Sequence, residues 1–439
     1  LMTENNKRPV DRSRSVAAFA EACRCLPGGV DSPVRAFGGV EDDPIFIESG
    51  HGSKICDIDG NEYIDYVCSW GPLILGHAHP AVVEAVCSAA GKGTSFGAPT
   101  EAETKLAEKI AGHFDSIDKV RLVSSGTEAV MTAVRLARGF SGRDIIVTMA
   151  GCYHGHSDCL LACAGSGLAE NAIASCAGVP EQMAALTVVL PYNDISAVEA
   201  AFEKHRGRIA AVMLEPCAAN MGVIPPVEGY LERLREICDA EGSLLIFDEV
   251  ISGFRLALGG AQELYGVRPD ITTLGKIIGG GLPAAALGAR TEIMDLLAPT
   301  GPVYQAGTLS GNPLATAAAI ATLDILEQPG TYDKLESASA RLAAGLAEAA
   351  KDAGIAVTIN RVGSILSSFF TAGPVRKFED VQATDIAAFK RFFSGMLNRG
   401  VYLAPSAYEA MFVSLAHTEQ DIERTVKAAA ESLLALKGD

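Results

Sequence analysis

The sequence predicts an α/β protein with a mostly parallel central sheet flanked by helices. Three observations carry this. Short apolar runs, Ile145–Thr148, Ala210–Glu215 and above all Leu244–Phe247, read as buried strands, with Val120–Ser124 a further strand. Helical patterns alternate with them, as βαβ units require. Many runs end in Gly, Ser, Asp or Glu, the turn chemistry expected at carboxyl ends of strands. At 439 residues the chain exceeds the size of a usual single core, so it divides further. Residues 1–75 read as an N-terminal helix and small meander packing on the other domains, 76–327 as a large α/β domain, and 328–439 as an α+β domain.

The elements follow in order. Residues 12 to about 26 place Val16, Phe19, Ala20 and Cys23 on one stripe of a helix, ended by Pro27-Gly28-Gly29. Arg35 lies in the irregular stretch GGVDSPVRAF, either as a surface charge or as a fork for a carboxylate. Residues 45–66 alternate as a meander, with Asp59-Gly60 as its hairpin turn. Trp70, the only tryptophan, opens the larger region. Helices are expected at 80–92 and 101–114. The strand Val120–Ser124 then turns straight into the helix SSGTEAVMTAVRLAR. Residues 165–180 are small and aperiodic and read as a loop. A helix is expected at 229–241, strands at Leu244–Phe247 and Ile271–Leu274, and an antiparallel or edge strand at Ala284–Ala289. A polar loop from Tyr304 to Pro313 precedes an Ala-rich helix to 327. Gln328-Pro329-Gly330 marks a break, followed by helices at 332–353 and 383–399, strands near 355–371, and a last helix from Thr418.

Composition limits function. A net charge of −17 argues against nucleic acid or an anionic membrane as partner, and 49% hydrophobic content describes a packed globular chain. The N-terminal stretch has no apolar signal core, and no run approaches a membrane span. Eleven cysteines in apolar contexts, without a Cys-x-x-Cys pair, fit reduced thiols in a cytoplasmic protein. His154-x-His156 lacks a third ligand nearby, so no metal is expected.

The chemistry centres on residues 244–283. Asp248 and Lys276 both stand at carboxyl ends of strands, where α/β sheets bind ligands, and glycines 279–281 follow the lysine. One reading is a buried Asp–Lys ion pair. The other is pyridoxal phosphate, held as an imine on Lys276 with Asp248 keeping the ring nitrogen protonated. Ser124-Ser125-Gly126-Thr127, a strand-to-helix turn, offers a phosphate site, or simply an N-cap by Ser125 or Thr127. Tyr153 follows a strand end and is placed to stack on a flat ring. Asn220 is expected near the same cleft.

SPVRAF, SWGPLILGH, FGAPTE, VSSGTEA, GCYHGHSD, AANMGVIPP, LLIFDEVISGFR, TTLGKIIGGGLP, VYQAGTLSGNPLA and FVSLAHT together resemble the glutamate-1-semialdehyde 2,1-aminomutases. These are a branch of the class III aminotransferases, which are fold-type I pyridoxal phosphate enzymes. The similarity runs from about residue 14 to the C-terminus. It implies isomerisation of glutamate-1-semialdehyde to 5-aminolevulinate, in tetrapyrrole synthesis, through bound 4,5-diaminovalerate and the pyridoxamine form of the cofactor. It also implies roles. Lys276 carries the cofactor and moves protons, Asp248 pairs with the ring nitrogen, and Ser125, Gly126 and Thr127 hold the phosphate. Tyr153 and His154 belong to the cofactor site, and Asn220 lies near the 3-hydroxyl. Thr308 reaches the cofactor phosphate of a neighbouring subunit, which implies a homodimer with shared sites. Arg35 with Ser32 holds the substrate carboxylate, Trp70 lines the pocket, Glu409 communicates with the lysine, and Ser166 opens a gating loop. An upstream enzyme producing the unstable aldehyde is an implied transient partner. Two departures stand out. The stretch LAENAIASCA lacks the glycine and prolines usual in the gating loop, and AAN replaces Ala-Gly-Asn before Met221. An ordinary class III ω-amine or β-amino acid aminotransferase is the alternative.

Overall fold

The computed structural model describes residues 10–163, 173–174 and 176–437. Its centre is a seven-stranded sheet. Across it the strands run Lys119–Val123, Ala285–Ala289, Ile271–Leu274, Leu244–Glu249, Ile209–Leu214, Ile145–Met149 and Thr187–Leu190. Ala285–Ala289 is antiparallel to both its neighbours, and every other pairing in the sheet is parallel. Six strands therefore point their carboxyl ends to one edge, and that edge gathers the site.

Alternate side chains of the apolar strands go to opposite layers, which is why the runs carry no polar face. Val147, Val212, Leu245 and Phe247 pack with Leu231, Leu234 and Ile237 of the helix Tyr230–Glu241. Ile146, Ala211, Met213 and Ile246 pack with Ala129, Val130, Ala133 and Ala137 of the helix Gly126–Ser141.

The N-terminal meander, Ile47–His51, Lys54–Asp57 and Glu62–Asp65, is antiparallel. Asp57 Oδ1 receives the amides of Asp59 (3.0 Å) and Asn61 (2.8 Å), closing the turn at Gly60. Its last strand pairs in parallel with Val401–Tyr402, and Tyr63, Ile64 and Tyr66 share a core with Leu342, Phe393, Ile422 and Leu433. A second small sheet joins Thr358–Val362, Ile365–Phe369 and Met411–Phe412.

Ala285–Ala289 is antiparallel, the first of the two expectations for it, and lies inside the sheet because Lys119–Val123 covers it. The sequence reading passed over the strand Thr187–Leu190 and the helix Ile195–Lys204. That strand is a four-residue edge, only half covered, so its apolar signal is brief.

Candidate active site

The cleft at the sheet's carboxyl edge has a volume of about 200 Å³ open to a water-sized sphere and is lined by residues from five strand ends, including Ser125, Tyr153, Glu215, Asp248 and Lys276. Gly126, Thr127, His154 and Asn220 line it as well, so eight of the residues singled out in the sequence meet here. Arg35, Ser32, Trp70 and Thr308 are not among the lining residues: Arg35 and Thr308 are exposed, and Ser32 and Trp70 half-buried. Ser166 lies outside the described residues.

Asp248 sits in its strand opposite Thr273, and its neighbour Phe247 opposite Leu214. Its carboxylate is 4% exposed. Oδ1 receives the amide of Val250 and the hydroxyl of Thr273, both at 3.1 Å, and Oδ2 lies 2.7 Å from His154 Nδ1. His154 is equally buried, and among the described residues its Nε2 has no partner.

Lys276 follows Gly275 at the end of Ile271–Leu274 and has φ +46°. This left-handed backbone is costly for a lysine and is kept only where surrounding structure enforces it. Burial pulls its amine below the ordinary lysine value, against the charges of Asp248, Glu215 and Glu409. No carboxylate oxygen pairs with it within salt-bridge distance among the described residues. The ion-pair reading of Asp248 with Lys276 therefore does not hold as a direct contact.

Ser125 caps the helix Gly126–Ser141. Its Oγ accepts the amide of Glu128 (3.2 Å), and Glu128 Oε2 accepts the amide of Ser125 (3.1 Å). The first helical residues, Gly126 and Thr127, have no earlier turn to take their N–H groups, so the end remains suited to an anion. Thr127 Oγ1 lies 3.2 Å from His156 Nδ1. An added Cβ at Gly155 would stand 2.8 Å from Thr127 Cα, so glycine there lets the Tyr153–His156 segment close against the turn.

Five lining residues were not singled out in the sequence: Val130, Gly155, Glu215, Val250 and Ile251. Glu215 ends Ile209–Leu214 as Asp248 ends its own run, so the strand-ending acid was the available signal. It is 3% exposed and accepts the amides of Tyr153 and Ala219, each at 2.9 Å. Burial raises its pKa, and Asp248 adds to this, while His154 and Asn220 oppose it. Val250 carried no signal, being one more apolar residue. Its methyls face Gly126 and Gly275, where an added Cβ would come to 3.3 and 3.1 Å.

Glu409 is half-buried on the segment before Met411–Phe412. Burial raises its pKa to about 7, opposed by Lys276 and reinforced by Glu215.

A lysine with a lowered pKa, a buried carboxylate held by three donors, and a helix N-terminus share one cleft. That donor set matches a phosphopyridine in each of its reactive parts: carbonyl carbon, ring nitrogen and phosphate.

The family model described as aminotransferase class-III matches residues 37–431. The chain belongs to that family. It is 55% identical over 424 residues to "Glutamate-1-semialdehyde 2,1-aminomutase 2" of Brevibacillus brevis, covering 97% of this chain and 99% of that one. Among solved structures, an ω-transaminase from Sphaerobacter thermophilus superposes with a TM-score of 0.91 at 34% identity, covering 97% and 98% of the two chains. A glutamate-1-semialdehyde aminomutase from Pseudomonas aeruginosa PAO1 superposes at 0.86 and 27%, covering 96% and 94%. A variant of the latter was solved in complex with PMP.

Proposed function

We propose that the chain isomerises glutamate-1-semialdehyde to 5-aminolevulinate by exchanging an amino group within one molecule, a step of tetrapyrrole synthesis. The observation that carries this is 55% identity, across 97% of the chain, to an enzyme of that name. Pyridoxal 5'-phosphate, with its pyridoxamine form, is the cofactor; when bound it supplies an electron sink and a carbon that accepts and returns nitrogen.

The chain's own residues divide the remaining work. Asp248, fixed by His154, Val250 and Thr273, holds the proton of the ring nitrogen. Gly126 and Thr127 bind phosphate through the helix terminus, with Ser125 completing the turn. Tyr153, whose amide is tied to Glu215, and Asn220 line the same cleft and would hold the ring by stacking and by a hydrogen bond. Lys276 Nζ, its pKa lowered by burial, would move the proton between the two reacting carbons. Glu409, titrating near neutrality, is suited to exchange charge with it. Arg35 and Ser32 anchor the substrate's carboxylate, and Trp70 flanks it. A single anchor lets both reacting carbons take turns at one position.

Thr308 lies exposed on the polar loop before the helix Pro313–Leu326, ready to contact the cofactor phosphate of a second subunit in a homodimer. No helix of the described residues is long and apolar enough to cross a membrane, and ten of the cysteines are free, in keeping with a cytoplasmic enzyme. A short-lived contact with the enzyme that supplies the aldehyde fits the instability of that substrate.

A second reading is favoured by the TM-score of 0.91 with an ω-transaminase: transfer from an external amine to a keto acceptor. The experiment that separates them gives the purified enzyme glutamate-1-semialdehyde alone. Many turnovers to 5-aminolevulinate support the mutase, and a strict need for an added amino donor supports the transaminase.

A further inference from the structure

We propose that Arg255 is a positioning residue, whose guanidinium pins the backbone turn carrying Trp70 to the segment carrying Glu409. The proposal rests on the reading of Trp70 as a flank of the substrate.

Cys68, Ser69, Trp70 and Gly71 have φ of 47, 56, 68 and 104°. Four successive residues are thus left-handed, three of them with a Cβ that this conformation crowds. Such backbone persists only where both ends are held. At the start, the Asp65 carboxylate accepts the amides of Val67 (2.7 Å) and Cys68 (3.1 Å) and pairs with His77 Nε2 at 2.7 Å. At the end, Arg255 Nη2 donates to the carbonyl of Gly71.

The same guanidinium reaches two other segments. Nη1 donates to the carbonyl of Val413 (2.8 Å) and to Ser364 Oγ (3.3 Å), and the group lies 5.5 Å from the centre of the Phe412 ring. Gly71 rests on that ring too: an added Cβ would stand 3.0 Å from it. The Phe412 amide donates to the carbonyl of Tyr66 at 2.8 Å, just ahead of the turn. Glu409 is three residues upstream of Phe412.

Arg255 is 1% exposed, and no carboxylate forms an ion pair with it among the described residues. A buried cation without a counter-charge is expensive. What it gains is a rigid fork that meets three acceptors, one on each of three chain segments, which a lysine cannot copy. It stands seven residues after Asp248, so the ring-nitrogen carboxylate, Trp70 and Glu409 are referred to one another through it.

Trp70 is the only tryptophan in the chain, so its emission reports the turn directly. The test uses cofactor-loaded wild type, Arg255→Lys and Phe412→Leu. Both variants are expected to shift Trp70 emission to the red and increase its quenching by acrylamide. KM for the semialdehyde should rise about tenfold, as for one lost charge-assisted hydrogen bond, with a smaller change in kcat. If Arg255→Lys does not fold, Phe412→Leu decides. Lowered melting temperature with unchanged emission overturns the pinning, and altered emission with unchanged KM overturns the positioning role. Donor-free turnover by the wild type tests the underlying function separately.

Discussion

Glu215 and Asp248 leave adjacent parallel strands at the same level, because Leu214 lies opposite Phe247 in register. Both carboxylates are almost wholly buried, yet they are employed differently. Glu215 is occupied by two backbone amides, those of Tyr153 and Ala219, and so shapes the loops. Asp248 is braced by a hydroxyl, an imidazole and one amide, and so keeps its charge aimed into the cleft.

Glu215→Gln is expected to destabilise the fold by about 1–3 kcal/mol, since one amide N–H would then face an NH2 instead of an acceptor. Denaturant melts of both proteins check this. An unchanged midpoint and slope would mean that the loops do not depend on the carboxylate.

Asp248→Asn keeps the shape and can still accept from Val250 and Thr273, and its NH2 can donate to His154 Nδ1 once the imidazole proton sits on Nε2. It removes the charge that holds the ring-nitrogen proton. Turnover should fall about 10²–10³-fold, the usual cost of losing one preorganised electrostatic partner, with the melting temperature of the cofactor-free protein nearly unchanged. Steady-state kinetics and a thermal scan read the two effects.

Arg35→Ala is expected to weaken substrate capture by roughly 2–4 kcal/mol, through loss of a charge-assisted pair. The loss should show as a raised KM. An unchanged KM would place the carboxylate anchor at another residue.

Glu409 gives a pH prediction. Its pKa is raised from the ordinary 4.5 to about 7 in the folded chain. Between these values the folded state binds the proton that the unfolded state has lost. Stability from this group is therefore highest at low pH and declines as pH rises from about 4.5 through 7. His417 works oppositely: burial lowers it to about 4, so its contribution is lost as pH falls. Comparing wild type with Glu409→Gln isolates the first effect. The variant's relative stability should increase from pH 5 to pH 8 in thermal melts, and a constant difference would refute the raised pKa.

Legibility in the sequence followed periodicity and strand ends. The run ending at Asp248 is unbroken and apolar; the strands before Ser124 and Lys276, interrupted by Arg121 and by Thr272 and Thr273, were marked instead by the turn residues that follow them, and all three lead straight into the site. Thr187–Leu190 escaped notice because an edge strand needs few apolar residues. Glu215 was visible as an acid closing a strand, but its partners are backbone amides from distant loops, which no local pattern records. The left-handed turn at 68–71 was hidden for a like reason. Only Gly71 among its residues favours that backbone, and the others are held there by Asp65 just ahead of the turn and by Arg255, remote in sequence.

The central claim is that Lys276 carries the cofactor in a cleft bounded by Asp248 and the turn at residues 125–127. The most direct measurement reconstitutes the protein with pyridoxal 5'-phosphate, reduces it with borohydride, and maps the labelled peptide by mass spectrometry. A phosphopyridoxyl group on Lys276, absent from Lys276→Ala, is the expected result. A label on another lysine, or none on a protein that turns over, would contradict the claim.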